Sequence, residues 1–291
     1  MKIQLHFSSH VQGDFTLEFQ SHLSTAIRAA IDAGNAALEV YENDIEVEEK
    51  ADHSPLTLAD QRSHDIIMSY LQPLDIPVLS EEGAAFDYTQ RKSWQRLWIV
   101  DPLDGTKEFI KKNGEFTINI ALVDRQRPVV GVIFVPVFDR LYFAAETLGA
   151  YRMDRKDLAP EGPDDFEAMI RAAQPLPLGP PDASRPYTIV GSRSHATPEL
   201  EAFVAEKRKQ HDTVEFISAG SSLKLCQVAE GFADIYPRMG PTMEWDTAAG
   251  QAVAEQAGSA VYVYESGRPL TYNKEDLKNP WFIVERRRGA S

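Results

Sequence analysis

One cysteine, Cys226, stands in 291 residues. An internal disulfide is therefore excluded, and a reducing compartment is the simplest expectation. Its surroundings, Leu223-Lys224-Leu225-Cys226-Gln227-Val228, have the spacing of an amphipathic helix, which makes the thiol a small core residue rather than a nucleophile. No apolar run of membrane-spanning length occurs. Residues 1–20 carry scattered charges and no continuous apolar stretch, so no secretory signal is expected and the cytoplasm is the expected location. Positive charge is scarce as well: 30 Lys and Arg face 44 Asp and Glu, a formal net charge of −14. Such a surface excludes non-specific nucleic-acid binding, which needs cations to displace counterions. It leaves open a small anionic substrate, because a divalent metal reverses the local field of an acidic site. No His/Cys cluster has zinc spacing, and His53 and His64 read as surface or core residues.

The chain has the composition of a globular protein and is long enough for two sub-domains sharing an interface. Residues 1–16 read as an irregular lead-in. Helical spacing runs from Phe19 to about Glu42 and again from Leu58 to Leu71, with Thr57 as a cap. Short strands are expected at 77–80 and 97–100. Apolar, β-branched runs at 116–123, 129–137 and 141–145 predict an antiparallel meander, turning at Arg125-Gln126-Arg127-Pro128. Residues 152–186 are rich in Pro, Asp and Ala and read as a mobile insertion or connection. Beyond them, strands near 187–191, 213–217, 233–236, 260–264 and 281–285 alternate with helices near 197–210, 221–230 and 247–257. The expected class is α/β with an α+β N-terminal half, divided into 17–151, the connection 152–186, and 187–286.

Chemistry concentrates in three short segments: Glu81-Glu82-Gly83, Asp101-Pro102-Leu103-Asp104-Gly105-Thr106, and Glu244-Trp245-Asp246-Thr247-Ala248-Ala249. Pro102 removes a ladder donor and is expected to end the strand at Asp101. Asp104 follows after a tight turn, Gly105 permits close approach, and Thr106 opens a helix whose free amides favour phosphate. Asp-Pro or Asp-Gly alone is an ordinary turn, Glu-Glu alone a solvated face, and Asp246 alone a helix cap. Together they gather carboxylates whose mutual repulsion a hard divalent cation relieves.

Those segments, as Glu81-Glu82, Trp98-Ile99-Val100-Asp101-Pro102-Leu103-Asp104-Gly105-Thr106 and Trp245-Asp246-Thr247-Ala248-Ala249-Gly250, resemble the inositol monophosphatase superfamily of magnesium-dependent, lithium-sensitive phosphatases over roughly residues 20–285. Within it the 3'(2'),5'-bisphosphate nucleotidase branch of bacterial CysQ type is the nearer likeness. That likeness rests on Lys107-Glu108-Phe109-Ile110, Asn113-Gly114-Glu115-Phe116-Thr117, Gly191-Ser192-Arg193-Ser194-His195, Gly220-Ser221-Ser222-Leu223-Lys224 and Tyr236-Pro237-Arg238-Met239-Gly240-Pro241-Thr242.

The resemblance implies a layered αβαβα sandwich of the inositol monophosphatase and fructose-1,6-bisphosphatase type, with the site between the halves. It implies two to three Mg2+ ions. One is held by Glu81, Asp101 and the carbonyl of Leu103, a second by Asp101, Asp104 and Asp246, and a third, weaker one by Glu81 and waters. Most ligands then lie in 17–151, and Asp246 with the substrate loops in 187–286. Asp60 and Thr106 would orient the attacking water. Scissile-phosphate contacts would come from Glu81, Leu103, Asp104, Gly105, Thr106 and Asp246. Ser192, Arg193, Ser194, His195, Gly220, Ser221 and Lys224 are candidates for the rest of a phosphorylated nucleotide. A homodimer and weak peripheral association with the inner membrane face are further implied partners. An inositol or sugar monophosphatase and a non-catalytic nucleotide- or metal-binding regulator are the competing functions.

Overall fold

The computed structural model describes residues 9–42, 47–49, 55–83, 85–158, 165–179, 182, 184–192 and 197–287, with side chains from residue 18 onward and excluding those of 47–49 and 55–57. In chain order the elements are α1 (Ser9–Glu42), β1 (Val47–Glu49), β2 (Pro55–Thr57), α2 (Leu58–Leu71), β3 (Val78–Ser80), α3 (Tyr88–Arg91), β4 (Arg96–Asp104), α4 (Thr106–Ile110), β5 (Thr117–Asp124), β6 (Arg127–Val135), β7 (Arg140–Ala145), β8 (Gly149–Asp154), α5 (Phe166–Ala172), β9 (Gln174–Pro175), β10 (Tyr187–Gly191), α6 (Pro198–Gln210), β11 (Val214–Ser218), α7 (Leu223–Ala229), β12 (Ile235–Arg238), α8 (Ala248–Gln256), β13 (Ser259–Val263) and β14 (Phe282–Arg286). Among the described residues no helix is long and apolar enough to cross a membrane.

A seven-stranded sheet runs in the order β3-β4-β5-β6-β7-β8-β9, and a five-stranded sheet in the order β11-β10-β12-β14-β13. In the larger sheet β3 is parallel to β4 and the rest is an antiparallel meander. Its two faces follow the period-two rule of strands. Ile118, Ile120 and Leu122 meet α1 and α2 on one face, with Leu23, Ile27 and Ile67 among their partners. Ala121 and Val123 meet α7 and α8 on the other, with Cys226, Val228 and Val253. The far side of α7 and α8 carries the smaller sheet, and α6 covers that sheet's outer face through Leu200 and Val204 on Ile189, Ile235 and Ile283. The layers are thus αβαβα, as the resemblance implied.

Three local expectations are corrected. α1 begins at Ser9, inside the stretch read as irregular; no proline and one glycine stand between Ser9 and Phe19, so nothing there breaks a helix. Pro102 does not end its strand: β4 continues to Asp104 across a register shift. Much of 152–186 is regular structure. β8 runs through residue 151 to Asp154, α5 is capped by Asp165 accepting from the Ala168 amide (2.8 Å), and β9 pairs with β8. Hydrophobic residues within the proline-rich stretch supply the reason: Met169 is buried in the core shared with Phe143 and Met153.

Candidate active site

Period two decides where Asp101 points. Leu97 and Ile99 lie in the core between the sheets, while Trp98 and Val100 face α1 and α2. Asp101 shares the parity of Leu97 and Ile99, so it emerges on the inner face, where it is 1% exposed. It pairs with Asn119, but Asp104 rather than Leu103 pairs with Thr117. One extra residue in β4 is a β-bulge, and it returns Asp104 to the face that Asp101 occupies. The Leu103 amide donates to Asp101 Oδ1 (3.1 Å) within this bulge. Glu81, one residue past β3, keeps the ladder through its amide, which donates to the Val100 carbonyl (3.2 Å). Asp60 is buried in the first turn of α2.

Asp246 comes from the other half of the chain. Its Oδ2 accepts from the Met243 amide (2.9 Å) in the turn before α8. That turn is fastened by Glu244, which is fully buried. Glu244 accepts from the amides of Asn273 (2.6 Å) and Lys274 (2.9 Å) and from Lys274 Nζ (2.6 Å). Ser222, at the start of α7, ties the halves together. Its Oγ lies 2.7 Å from Asp104 Oδ2 and 3.0 Å from the Asp246 carbonyl, and it accepts from Asn119 Nδ2 (2.8 Å). Asn119 Nδ2 also reaches Asp104 Oδ2 (3.3 Å).

Electrostatics mark the convergence of these acids. Burial pushes the Asp101 carboxyl well above the usual carboxylate range, and the charges of Glu81, Asp104, Asp246 and Asp60 push it further. Burial, then Asp104, raises Asp246 to about 8, against the opposing Met243 amide. Among the described residues no three acidic, His or Cys side chains close into a tight metal cage. The carboxylates converge more loosely, each felt by Asp101. An all-oxygen, anionic donor set whose members repel one another fits a hard divalent cation.

A cavity of 130 Å3 adjoins Asp104 and Asp246, lined by Ser192, Ser221, Lys224 and Arg238 among others. It is smaller than the roughly 300–1,000 Å3 of pockets for drug-sized ligands, so it suits one anionic group rather than a nucleoside. Lys224 is buried, and burial lowers it to about 8 against the opposing charge of Asp104. Its Nζ donates to the carbonyls of Ser221 (2.6 Å) and Ala219 (3.3 Å). The buried Ser221 Oγ and Arg238 Nε have no hydrogen-bond partner. The wall is tight. Gly105 has φ of 95° at the start of α4, and a Cβ on Gly220 would meet Glu108 and Glu115 atoms at 2.8–2.9 Å. The Gly220 amide donates to Glu115 Oε2 (2.8 Å).

The structure therefore brings Glu81, Asp60, Asp101, Asp104 and Asp246 into one field, and Ser192, Gly220, Ser221 and Lys224 to its flank with Gly105. Thr106 opens α4 beside Gly105. Arg193, Ser194 and His195 lie outside the described residues, as does His53. Ser221 does not begin its helix: it has φ of 38° and precedes Ser222, the residue capping α7. His64 Nδ1 is bonded to Ser80 Oγ (2.9 Å). Cys226 is buried, and burial raises its thiol well above the ordinary range, which fits a core residue. Sequence reasoning missed Asn119, Ser222, Arg238 and Glu244 as site residues. Asn119 left one signal, a polar side chain in the otherwise apolar run Ile118-Asn119-Ile120.

The model of the inositol monophosphatase family matches residues 18–286. The 3'(2'),5'-bisphosphate nucleotidase CysQ of Escherichia coli (strain K12) is 45% identical over 267 residues, covering 90% of this chain and 98% of that protein. The crystal structure of CysQ from Bacteroides thetaiotaomicron superposes with a TM-score of 0.83 at 53% identity, over 93% of this chain and 98% of that one. Extragenic suppressor protein suhB from Bartonella henselae shares the fold, with a TM-score of 0.68 at 22% identity over 92% of this chain and 95% of that one.

Proposed function

The chain belongs to the inositol monophosphatase family, and on that premise we propose that it is a 3'(2'),5'-bisphosphate nucleotidase, converting 3'-phosphoadenosine 5'-phosphate to AMP and phosphate. Enzymes of the family are magnesium-dependent. Glu81, Asp101, Asp104 and Asp246, with the Leu103 carbonyl, would hold two ions, and Glu81 a third. Bound magnesium supplies positive charge for the phosphate oxygens and makes water a better nucleophile near neutral pH. The remaining work falls to the chain's own groups. Asp60 and Thr106 orient the attacking water, with the Asp60 carboxylate available to accept its proton. Asn119 and Ser222 hold one oxygen of Asp104, which fixes where the other points. The bulge and the Glu244 anchor keep Asp101 and Asp246 in place before substrate arrives.

The observation that carries this substrate class is the cation pair Lys224 and Arg238 in the small cavity beside Asp104 and Asp246. With one phosphate at the carboxylate centre, these two cations still face the small cavity, where Asp104 and Asp246 are among the acids that feel them. A second phosphate on the same nucleoside supplies an anion there, with the guanidinium suited to paired hydrogen bonds and Ser221 Oγ free to donate. An inositol monophosphate has hydroxyls but no second anion to place there. Phosphate release from 3'-phosphoadenosine 5'-phosphate and from inositol 1-phosphate, measured side by side with Mg2+, tests the proposal. A strong preference for the bisphosphate is expected. Preference for inositol 1-phosphate would overturn the nucleotidase assignment, and silence on both would favour a non-catalytic regulator.

A further inference from the structure

The end of α8 remote from Asp246 opens onto a second, larger concavity. It has a volume of 1120 Å3 and lies between the β5–β6 turn, the last residues of α8, β13 with its following turn, and the end of β14. Four arginines line it: Arg125, Arg127, Arg268 and Arg287. All four are exposed. Arg125 stands 3.8 Å from Asp124. Among the described residues, Arg127, Arg268 and Arg287 form no salt bridge. Glu255 is the one carboxylate in the lining.

That arrangement runs against the rest of the molecule. In a chain with a net charge of −14, solvent-exposed arginines have many carboxylates to pair with. Here cations from distant parts of the sequence face one groove, where the single carboxylate in the lining, Glu255, feels Arg127 and Arg287 without forming a salt bridge to them. Their mutual repulsion is relieved by a bound anion, and planar guanidinium forks match phosphate oxygens in pairs. The groove is slightly larger than the roughly 300–1,000 Å3 typical of small-molecule sites. Val261, Pro269 and Pro280 add apolar lining for a non-ionic portion of the ligand.

We propose that this groove is a second anion site, separate from the carboxylate centre, that takes a phosphate-bearing small molecule of nucleotide size. The proposal stands independently of the substrate assigned above. A line of hydrogen bonds joins the two places. Gln251 Nε2 donates to Glu255 Oε1 (2.9 Å), the Tyr272 hydroxyl donates to Gln251 Oε1 (2.8 Å) and lies 3.2 Å from Thr247 Oγ1, and Thr247 follows Asp246. The Tyr272 amide also donates to the Gln126 carbonyl (3.1 Å) at the groove's edge.

Calorimetric titration of the full chain in EDTA tests the site, because without metal the carboxylate centre repels phosphate. The probes are ATP and inorganic triphosphate. One ATP site per chain is expected. Its affinity should fall at least tenfold in the Arg127→Ala/Arg268→Ala/Arg287→Ala variant and in raised salt, and stay unchanged in Lys224→Ala. Equal binding of inorganic triphosphate would identify the phosphate chain as the recognised part, and weaker binding would add the nucleoside; both support the site. The triple variant should keep its magnesium-dependent phosphatase rate, which shows that it is folded. Three results would overturn the proposal: no binding of either probe, ATP binding lost in Lys224→Ala but kept in the triple variant, or arginine-dependent self-association in place of ligand binding.

Discussion

Replacing Ser222 by alanine isolates the link between the two halves of the active site. The hydroxyl lies at 2.7 Å from Asp104 Oδ2 and 3.0 Å from the Asp246 carbonyl, and it is the second acceptor of Asn119 Nδ2. Ser222 is buried, so water cannot take its place without rearrangement. Leaving a buried polar group unsatisfied costs about 1–3 kcal/mol, with hydrogen bonds to charged groups at the upper end. Asn119 keeps only its longer contact of 3.3 Å to Asp104. Each 1.4 kcal/mol is about tenfold in an equilibrium constant, and outer partners of metal ligands are typically worth about 10–100-fold in metal affinity. Ser222→Ala should therefore weaken Mg2+ binding by about 10–100-fold in a calorimetric titration. Ser222→Thr, which keeps the hydroxyl, should recover most of it. A thermal melt without metal separates a fold defect from a positioning defect. Mg2+ affinity within twofold of the wild type would refute the role given to this hydroxyl.

Three further outcomes follow from the same geometry. Glu244→Gln leaves two backbone amides and the partly exposed Lys274 Nζ facing a neutral side chain; weakening such hydrogen bonds to a buried charge costs about 1–3 kcal/mol, read as a lower denaturation midpoint and as loss of activity through Asp246. Arg238→Ala should raise KM for a bisphosphate nucleotide at least tenfold while leaving KM for a simple monophosphate nearly unchanged; equal effects on both would remove Arg238 from substrate selection. Burial lowers Lys224 to about 8, so its ammonium is charged below that pH and neutral above it. With the bisphosphate, kcat/KM should fall as pH rises through about 8, and Lys224→Arg, charged throughout, should lack that limb.

Much of the fold was legible because it rests on short-range patterns. The alternation Leu97, Trp98, Ile99, Val100 identifies a strand buried on both faces, and the alanine-rich spacing of 26–37 identifies a helix face. The carboxylates were legible because three of their segments have unusual composition. What placed Asp104 beside Asp101 was not. A proline after a strand ordinarily signals its end, yet the strand absorbs Pro102 in a bulge and resumes, because Asp104 regains a partner in Thr117. The fastening of Asp246 by Glu244 involves Asn273 and Lys274, about 30 residues on. The arginine groove draws on the β5–β6 turn, α8, residue 268 and residue 287. No local pattern announces contacts at such separations. The stretch 152–186 misled for the opposite reason: its proline content masked Phe166, Met169 and Ile170, which pack α5 onto the larger sheet.

At the carboxylate centre an oriented water attacks one phosphate of a nucleoside bisphosphate while Lys224 and Arg238 hold the other. The identity of the product tests this most directly. With Mg2+ and 3'-phosphoadenosine 5'-phosphate, chromatography of the products should show adenosine 5'-monophosphate and one equivalent of phosphate, with none formed by Asp101→Asn. Release of the 5'-phosphate to give the 3'-monophosphate, or turnover that survives in Asp101→Asn, would contradict it.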